Sequence, residues 1–284
     1  MIFLKIAFLL LISFFNLSSY AFDQEQLLKF KVIKICRACD LSSANLEKLD
    51  FSNAKIINGN LKDANLKGVD LSKASISNGN LENINLKGAN LTKANLSKSI
   101  LINANLEKVN FRKANLRSVN LTGSSLFGAN LEGSNFQRSI LDDVDLRNVK
   151  LKNVNFRKAS LELANFEGSV LDNISFDEAN LKGANLRETS LINVKFMYAN
   201  MEGVVLTKTN LEGMNFINVN FTGANLENSN LENANLENVN FVEANLINVN
   251  FKGANLLGAN LENAFIDGAN MCEAIMPSGE KNSC

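Results

Sequence analysis

Residues 221–260, FTGANLENSNLENANLENVNFVEANLINVNFKGANLLGAN, decide the fold. Every fifth residue is large and apolar: Phe221, Leu226, Leu231, Leu236, Phe241, Leu246, Phe251 and Leu256. Asn stands directly before each, from Asn220 to Asn255, and two places before each lies a small residue such as Ala224 or Val239. Followed outward, the phase never slips. All 48 positions from Leu41 to Met276 in steps of five are large and apolar: 31 Leu, 11 Phe, 3 Ile and 3 Met. The slot two before holds 22 Ala, 11 Val and 8 Ser or Thr, and the slot one before holds 30 Asn and 4 Asp. A period of five matches neither the 3.6 of a helix nor the 2.0 of a strand. It suits a chain that turns a corner after every unit, with the large and small residues inside and the others in solvent. Gly recurs two places after the large residue, at Gly68, Gly88, Gly213 and Gly223, where a corner calls for positive φ.

The number of units per coil has its own signal. Phe136, Phe156, Phe176, Phe196 and Phe216 recur every 20 residues, as do Phe221 and Phe241. Four units per coil would set those rings one above another. The pattern resembles the pentapeptide repeat family over residues 39 to 276. The resemblance implies an all-β fold, a right-handed quadrilateral β-helix with four pentapeptides per coil, so that 48 units would make about 12 coils. The Asn residues are expected to hydrogen-bond the backbone at the corners or to stack as ladders.

Four segments follow. Residues 1–21 read as a signal peptide: Lys5 opens it, Ile6–Phe15 is an apolar run too short for the roughly 20 residues a membrane span needs, and Ser19-Tyr20-Ala21 is a cleavage motif. The chain is therefore expected to be exported, periplasmic or secreted, with no transmembrane segment after cleavage. Residues 22–38 form an N-terminal cap. Asp23 starts a helix there, and Leu27, Leu28, Phe30, Val32, Ile33 and Ile35 give it an apolar face. Residues 39–276 are the β-helix, and 277–284 a C-terminal tail or cap, where Pro277 removes a backbone donor.

The four cysteines sit at the two ends. In a rod of this kind only local pairs lie within the roughly 4.4–6.8 Å between Cα atoms that a disulfide needs. If all are oxidised within one chain, the pairs are Cys36–Cys39 and Cys272–Cys284, and an exported protein meets an oxidising compartment. Both segments look like flanking sequences of exported or lumenal members of the family. Cys36-Arg37-Ala38-Cys39 also has redox spacing, without the βαβ pattern that usually carries it.

Composition removes much chemistry. There is no His, hence no His base or ligand and no Ser-His or Cys-His nucleophile pair. No catalytic residues, cofactor or metal are expected, and the chain is not expected to be an enzyme. The 29 basic and 29 acidic residues are unevenly placed: residues 22–160 carry a net +9 and 161–284 a net −10. One basic cluster comprises Lys87, Lys93, Lys98, Lys108, Arg112, Lys113 and Arg117. A second comprises Arg147, Lys150, Lys152, Arg157 and Lys158, with no acid among them. Ile192, Met197, Tyr198 and Ile217 occupy outward slots on adjacent sides or coils and mark an apolar contact patch.

The expected function is a rigid exported module presenting its surface to a protein or an envelope component. Family members dimerise through a terminal coil, and the short C-terminal segment is compatible with a homodimer or end-to-end association. Two alternatives are weaker. Some family members modulate topoisomerases by imitating DNA, which needs dense negative charge; the neutral total and the export signal disfavour that and any nucleic-acid partner. A thiol-redox protein would rest on Cys36 and Cys39 alone.

Overall fold

The structure, a computed structural model, describes residues 24–284; the expected leader 1–21 and Asp23 lie outside the described residues. Helix α1 (Gln24–Ile33) leads into a β-solenoid whose paired residues stand twenty apart along the chain, in parallel. The register runs from Ile35↔Lys55 to Asn255↔Ile275, so four five-residue units make one coil, as the Phe spacing implies. Three-residue strands form only in places. β1 (Ile35–Arg37), β2 (Lys55–Ile57) and β3 (Ser75–Ser77) make one parallel sheet. β4 (Lys150–Lys152), β5 (Val170–Asp172) and β6 (Ser190–Ile192) make another. Elsewhere the pairing is one bridge per unit, between two-residue turns. Pairing begins at Ile35, so the last four residues of the segment expected to be a cap already belong to the first coil.

Each unit is built the same way. The amide of the large residue donates to the carbonyl nineteen residues on, as Leu41 does to Asn60 at 2.8 Å. The Asn amide donates back to the small slot of the coil before, as Asn60 does to Cys39 at 2.9 Å. The corner closes when the amide of the next small residue reaches the large one, as Ala224 does to Phe221 at 2.9 Å. That turn holds its third residue at positive φ, 62° at Gly223 and 59° at Lys93. Gly adopts this freely and Asn tolerates it; Lys accepts some strain there for a solvated site. The Asn side chain then does both of its expected tasks. Asn220 Oδ1 accepts from the Thr222 amide at 3.1 Å, and Asn220 Nδ2 donates to Asn200 Oδ1, one coil earlier, at 2.9 Å.

The core is continuous. From Leu41 to Leu256 every large residue is buried except Leu191. The Phe column stacks face to face from Phe136 to Phe216. Buried Ser residues in the small slot, Ser229 excepted, return their hydroxyls to the backbone, as Ser99 does to the Ile76 carbonyl at 2.7 Å. A hydroxyl satisfied this way adds little cost to burial.

The ends differ from the sequence expectation. α1 buries only Leu27 and Phe30, whose ring lies 4.5 Å from Phe51 and closes the first coil. Leu28, Val32, Ile33 and Ile35 face solvent. An apolar face six residues wide is more than one helix can set against a coil this narrow. At the other end, residues 277–284 fold back over two sides: Lys281 pairs antiparallel with Ile275, the Asn282 amide donates to the Ala274 carbonyl at 2.8 Å, and the Asn282 side chain donates to the Met271 carbonyl at 3.0 Å. Among the described residues nothing covers the remaining sides of the last coil. Ile266 occupies an interior slot yet is 46% exposed, beside Phe265 at 59%.

Candidate functional site: an interaction surface

The two basic clusters behave differently once the chain is coiled. Residues twenty apart stand one above another. Lys73, Lys93 and Lys113 therefore form a column of like charge on one corner, each at positive φ. Lys98 and Arg117 stand on the adjoining side, and Lys108 on another corner. Lys93, Lys98, Lys108, Lys113 and Arg117 have no carboxylate within salt-bridge distance among the described residues. Lys87 and Arg112 are paired, to Glu107 and Glu132, one coil on.

The second cluster is not the bare cationic patch its sequence suggests. Arg147 grips Asp145 with two bonds of 2.9 and 2.8 Å, and holds that carboxyl below the usual Asp range. Lys152 meets Asp172 at 3.1 Å. Glu178 lies 2.9 Å from Lys158 and 2.6 Å from Arg157, which together hold its carboxyl below the usual Glu range. Only Lys150 lacks such a partner among the described residues. Asp145 is a near neighbour in sequence, but Asp172 and Glu178 arrive from about twenty residues along the chain, where a linear reading of the cluster does not look.

The four patch residues lie on two adjacent sides of the coil. Met197 and Ile217 hold the same outward slot one coil apart, Tyr198 follows Met197 at 58% exposure, and Ile192 ends β6 at 46%. Next to this patch lies a feature the sequence reading missed, because it expected flat faces. A cleft of about 390 Å³ opens in the wall, lined by Leu191, Asn193, Lys195, Glu212, Met214 and their neighbours. A smaller one of about 230 Å³, around Asn153, Ile174 and Ser175, shares Asn173 and Lys195 with it.

The cysteines are placed as expected. Cys36 and Cys39 have Cα atoms 5.6 Å apart, Cys272 and Cys284 4.6 Å, both within reach of a disulfide. Cys36 and Cys39 are buried under α1, whereas redox cysteines need access. Among the described residues, Cys272, Glu273 and Cys284 alone bring three residues of metal-ligating type together, with ligand atoms within 4.8 Å. With the sulfurs paired, one carboxylate is left to coordinate. Among the described residues no helix is long and apolar enough to cross a membrane.

Comparison with known proteins places these observations. A profile described as "Pentapeptide repeats (8 copies)" matches residues 35–72, 70–107, 89–126, 199–238 and 240–276, and a second, "Pentapeptide repeat region", matches 139–216. No curated protein matches the chain. Among solved structures, HetL, a pentapeptide repeat protein involved in heterocyst differentiation regulation in the cyanobacterium Nostoc sp. strain PCC 7120, is 26% identical. That match covers 92% of this chain and 99% of HetL, with a TM-score of 0.32. A pentapeptide repeat protein of the Arabidopsis thaliana thylakoid lumen is 28% identical over 37% of this chain and 70% of its own, with a TM-score of 0.31. QnrB1, a plasmid-mediated fluoroquinolone resistance protein, is 18% identical over 63% of this chain and 89% of its own, with a TM-score of 0.30.

Proposed function

This chain belongs to the pentapeptide repeat family, and on that premise we propose that it is an exported, non-enzymatic interaction module whose open C-terminal coil is a contact surface. Proteins of this family are generally structural or interaction modules. The observation that carries the reading is the uncovered last coil. The amides of Leu261, Asn263, Ile266 and Gly268 have no hydrogen-bond partner among the described residues. Leu257, Phe265 and Ile266 stand exposed around them. An unpaired β edge flanked by apolar side chains is a template for association, and soluble proteins normally cover one. A second copy of the chain, end to end, fits this surface.

Export rests on the leader pattern of residues 1–21 and is supported by cysteine pairs set at disulfide distance at both ends. Oxidised pairs would staple the terminal coils, which in a solenoid have neighbours on one side only. The absence of His and the packed core leave surface carboxylates without the enclosed site that acid–base chemistry needs. The column of Lys73, Lys93 and Lys113 is opposite in sign to the surface a DNA mimic requires.

Lysine-directed crosslinking in native cells, combined with fractionation, tests the reading. The expected result is the chain outside the cytoplasm, crosslinked through its C-terminal coil to itself or to one recurrent partner. A cytoplasmic chain with no crosslinked product above background would overturn it.

A further inference from the structure

The cleft beside Leu191 marks a lapse in the wall. From Ile35 to Ile275 the twenty-residue register fails at two adjacent places, Ser190↔Asn210 and Lys195↔Asn215, while the bridges on either side, Asn185↔Val205 and Asn200↔Asn220, are intact. Five inter-coil hydrogen bonds go with them. The Leu191, Asn193 and Phe196 amides on one lip, and the Asn210 and Asn215 amides on the other, have no partner among the described residues.

The cause lies in accumulated bulk. The small-slot column on this side runs Ala54, Ala74, Ala94, Ala114, Ser134, then Val154, Ile174, Val194 and Met214, then Ala234, Ala254 and Ala274. Over the same coils the large slot holds Phe136 to Phe216, whose ring centroids are 5.2, 5.3, 5.3 and 5.6 Å apart. Neighbouring strands are spaced about 4.7–4.9 Å. Each ring adds a few tenths of an ångström, and the widest step coincides with Met214 in a slot mostly filled by Ala. Phe221 and Phe241, 5.4 Å apart with no such swelling beside them, leave the bridge Asn220↔Asn240 closed. Overpacking has opened the seam, leaving Leu191 and Met214 half-buried at its floor.

We propose that this breach takes an extended polypeptide segment of a partner protein, alternating apolar and polar residues. Unpaired backbone groups at strand spacing are satisfied best by another extended backbone, which offers donors and acceptors with the same repeat. Leu191 and Met214 give an apolar seat for every second side chain. One lip carries Lys195 and the other Glu212, so the site favours a segment without strong net charge. The volume of about 390 Å³ suits a short segment rather than a folded domain. The adjoining Ile192 and Tyr198 extend the apolar surface along its path. This inference rests on the interaction-module reading and deepens it by naming one face and one class of partner.

The test is selection of a phage-displayed random hexapeptide library on the full chain, with counter-selection on Met214→Ala, which should let the seam close. Enriched peptides should alternate apolar and polar residues and lack central Pro. Synthetic copies should bind the unmodified chain at least tenfold more tightly than the Met214→Ala chain, and should slow hydrogen exchange at Leu191, Asn193 and Phe196. N-methylation of alternate peptide amides should remove both effects on the unmodified chain, a measurement independent of any substitution. No enrichment, equal binding to Met214→Ala, or undiminished binding of N-methylated peptides would each overturn the proposal. Crosslinked partners persisting in cells after such a failure would leave the interaction-module reading standing.

Discussion

Phe156 lies flat on Phe176, twenty residues further along the chain, with ring centroids 5.3 Å apart and planes within 4°. Offset stacking of this kind adds to burial, and both rings have no solvent exposure. Phe176→Ala should therefore cost about 3–5 kcal/mol, seen as a lower urea midpoint. The loss should also be local. Each coil touches only its neighbours, so hydrogen exchange should rise in the coils around residue 176 and not near residue 76. A uniform rise along the rod would contradict that.

Gly59 offers a less intuitive outcome. It occupies a small slot where Ala is the commonest residue, so Gly59→Ala looks harmless in sequence. A Cβ there would meet Ile56 Cγ2 at 2.7 Å and Cys36 Sγ at 3.2 Å. Ile is branched at Cβ and cannot swing away, so the substitution should destabilise by about 1–3 kcal/mol. Gly79→Ala, whose Cβ would meet the more mobile Leu81 Cδ1 at 2.8 Å, should cost less. Thermal unfolding of the two variants side by side checks the order.

Asn220 joins three partners: it accepts from the Thr222 amide, donates to Asn200, and accepts from Asn240 Nδ2 at 3.3 Å. Asn220→Ala leaves those groups half-buried and unmatched, at a cost of about 1–3 kcal/mol. Urea titration should show this loss, while an Ala at exposed Ser283 of the tail should show much less.

Acid should weaken the rod through particular carboxylates. Asp50 is drawn down to about 2, first by the Ser52 hydroxyl and amide and then by Lys34. Asp145 and Glu178 are drawn down by Arg147, and by Lys158 with Arg157. A carboxyl with a depressed folded pKa stabilises the fold at pH values above its unfolded pKa, and loses that contribution as pH falls through the folded pKa. Stability should thus fall between about pH 4 and pH 2, fastest where Asp50 titrates. By carboxyl NMR, Ser52→Ala should raise the Asp50 pKa more than Lys34→Met does; the reverse order would assign the shift to the ion pair.

The open end should be sensitive to charge. Ile266→Lys places an ammonium on the uncovered coil, where Ile266 is already half-exposed, so folding should survive. Sedimentation should then show self-association weakened at least tenfold. Lys at an edge blunts pairing by the same logic. An unchanged association constant would move the contact elsewhere.

The repeat and its four-unit coil were legible in the sequence because each depends on residue type at a fixed slot: Leu46, Leu66 and Leu86 are interchangeable in their roles. What was not legible depends on sums or on cross-coil neighbours. Val154, Ile174, Val194 and Met214 are each acceptable in a small slot, and only their stacking opens the seam at Lys195. The cluster at Arg157 looked bare because its acid, Glu178, is a full coil away. In α1 every candidate on the apolar face was equally apolar, so pattern alone could not choose Phe30 over Val32 for burial.

The asparagine ladders have a direction. Asn65 donates to Asn45, Asn85 to Asn65, Asn250 to Asn230 and Asn270 to Asn250, always from the later coil to the earlier. A one-way chain of donors ends in an acceptor with nothing left to donate to. At the N-terminal rung an amide would hold an idle Nδ2, whereas a carboxylate has no hydrogen to place. Some ladders end this way: Asp40 accepts from Asn60 at 3.0 Å and Asp70 accepts from Asn90 at 3.2 Å, both near the start of the rod, whereas the ladder through Asn65 ends on Asn45. The side-chain dipoles therefore add rather than cancel, and the solenoid is a vector whose head and tail a partner can tell apart.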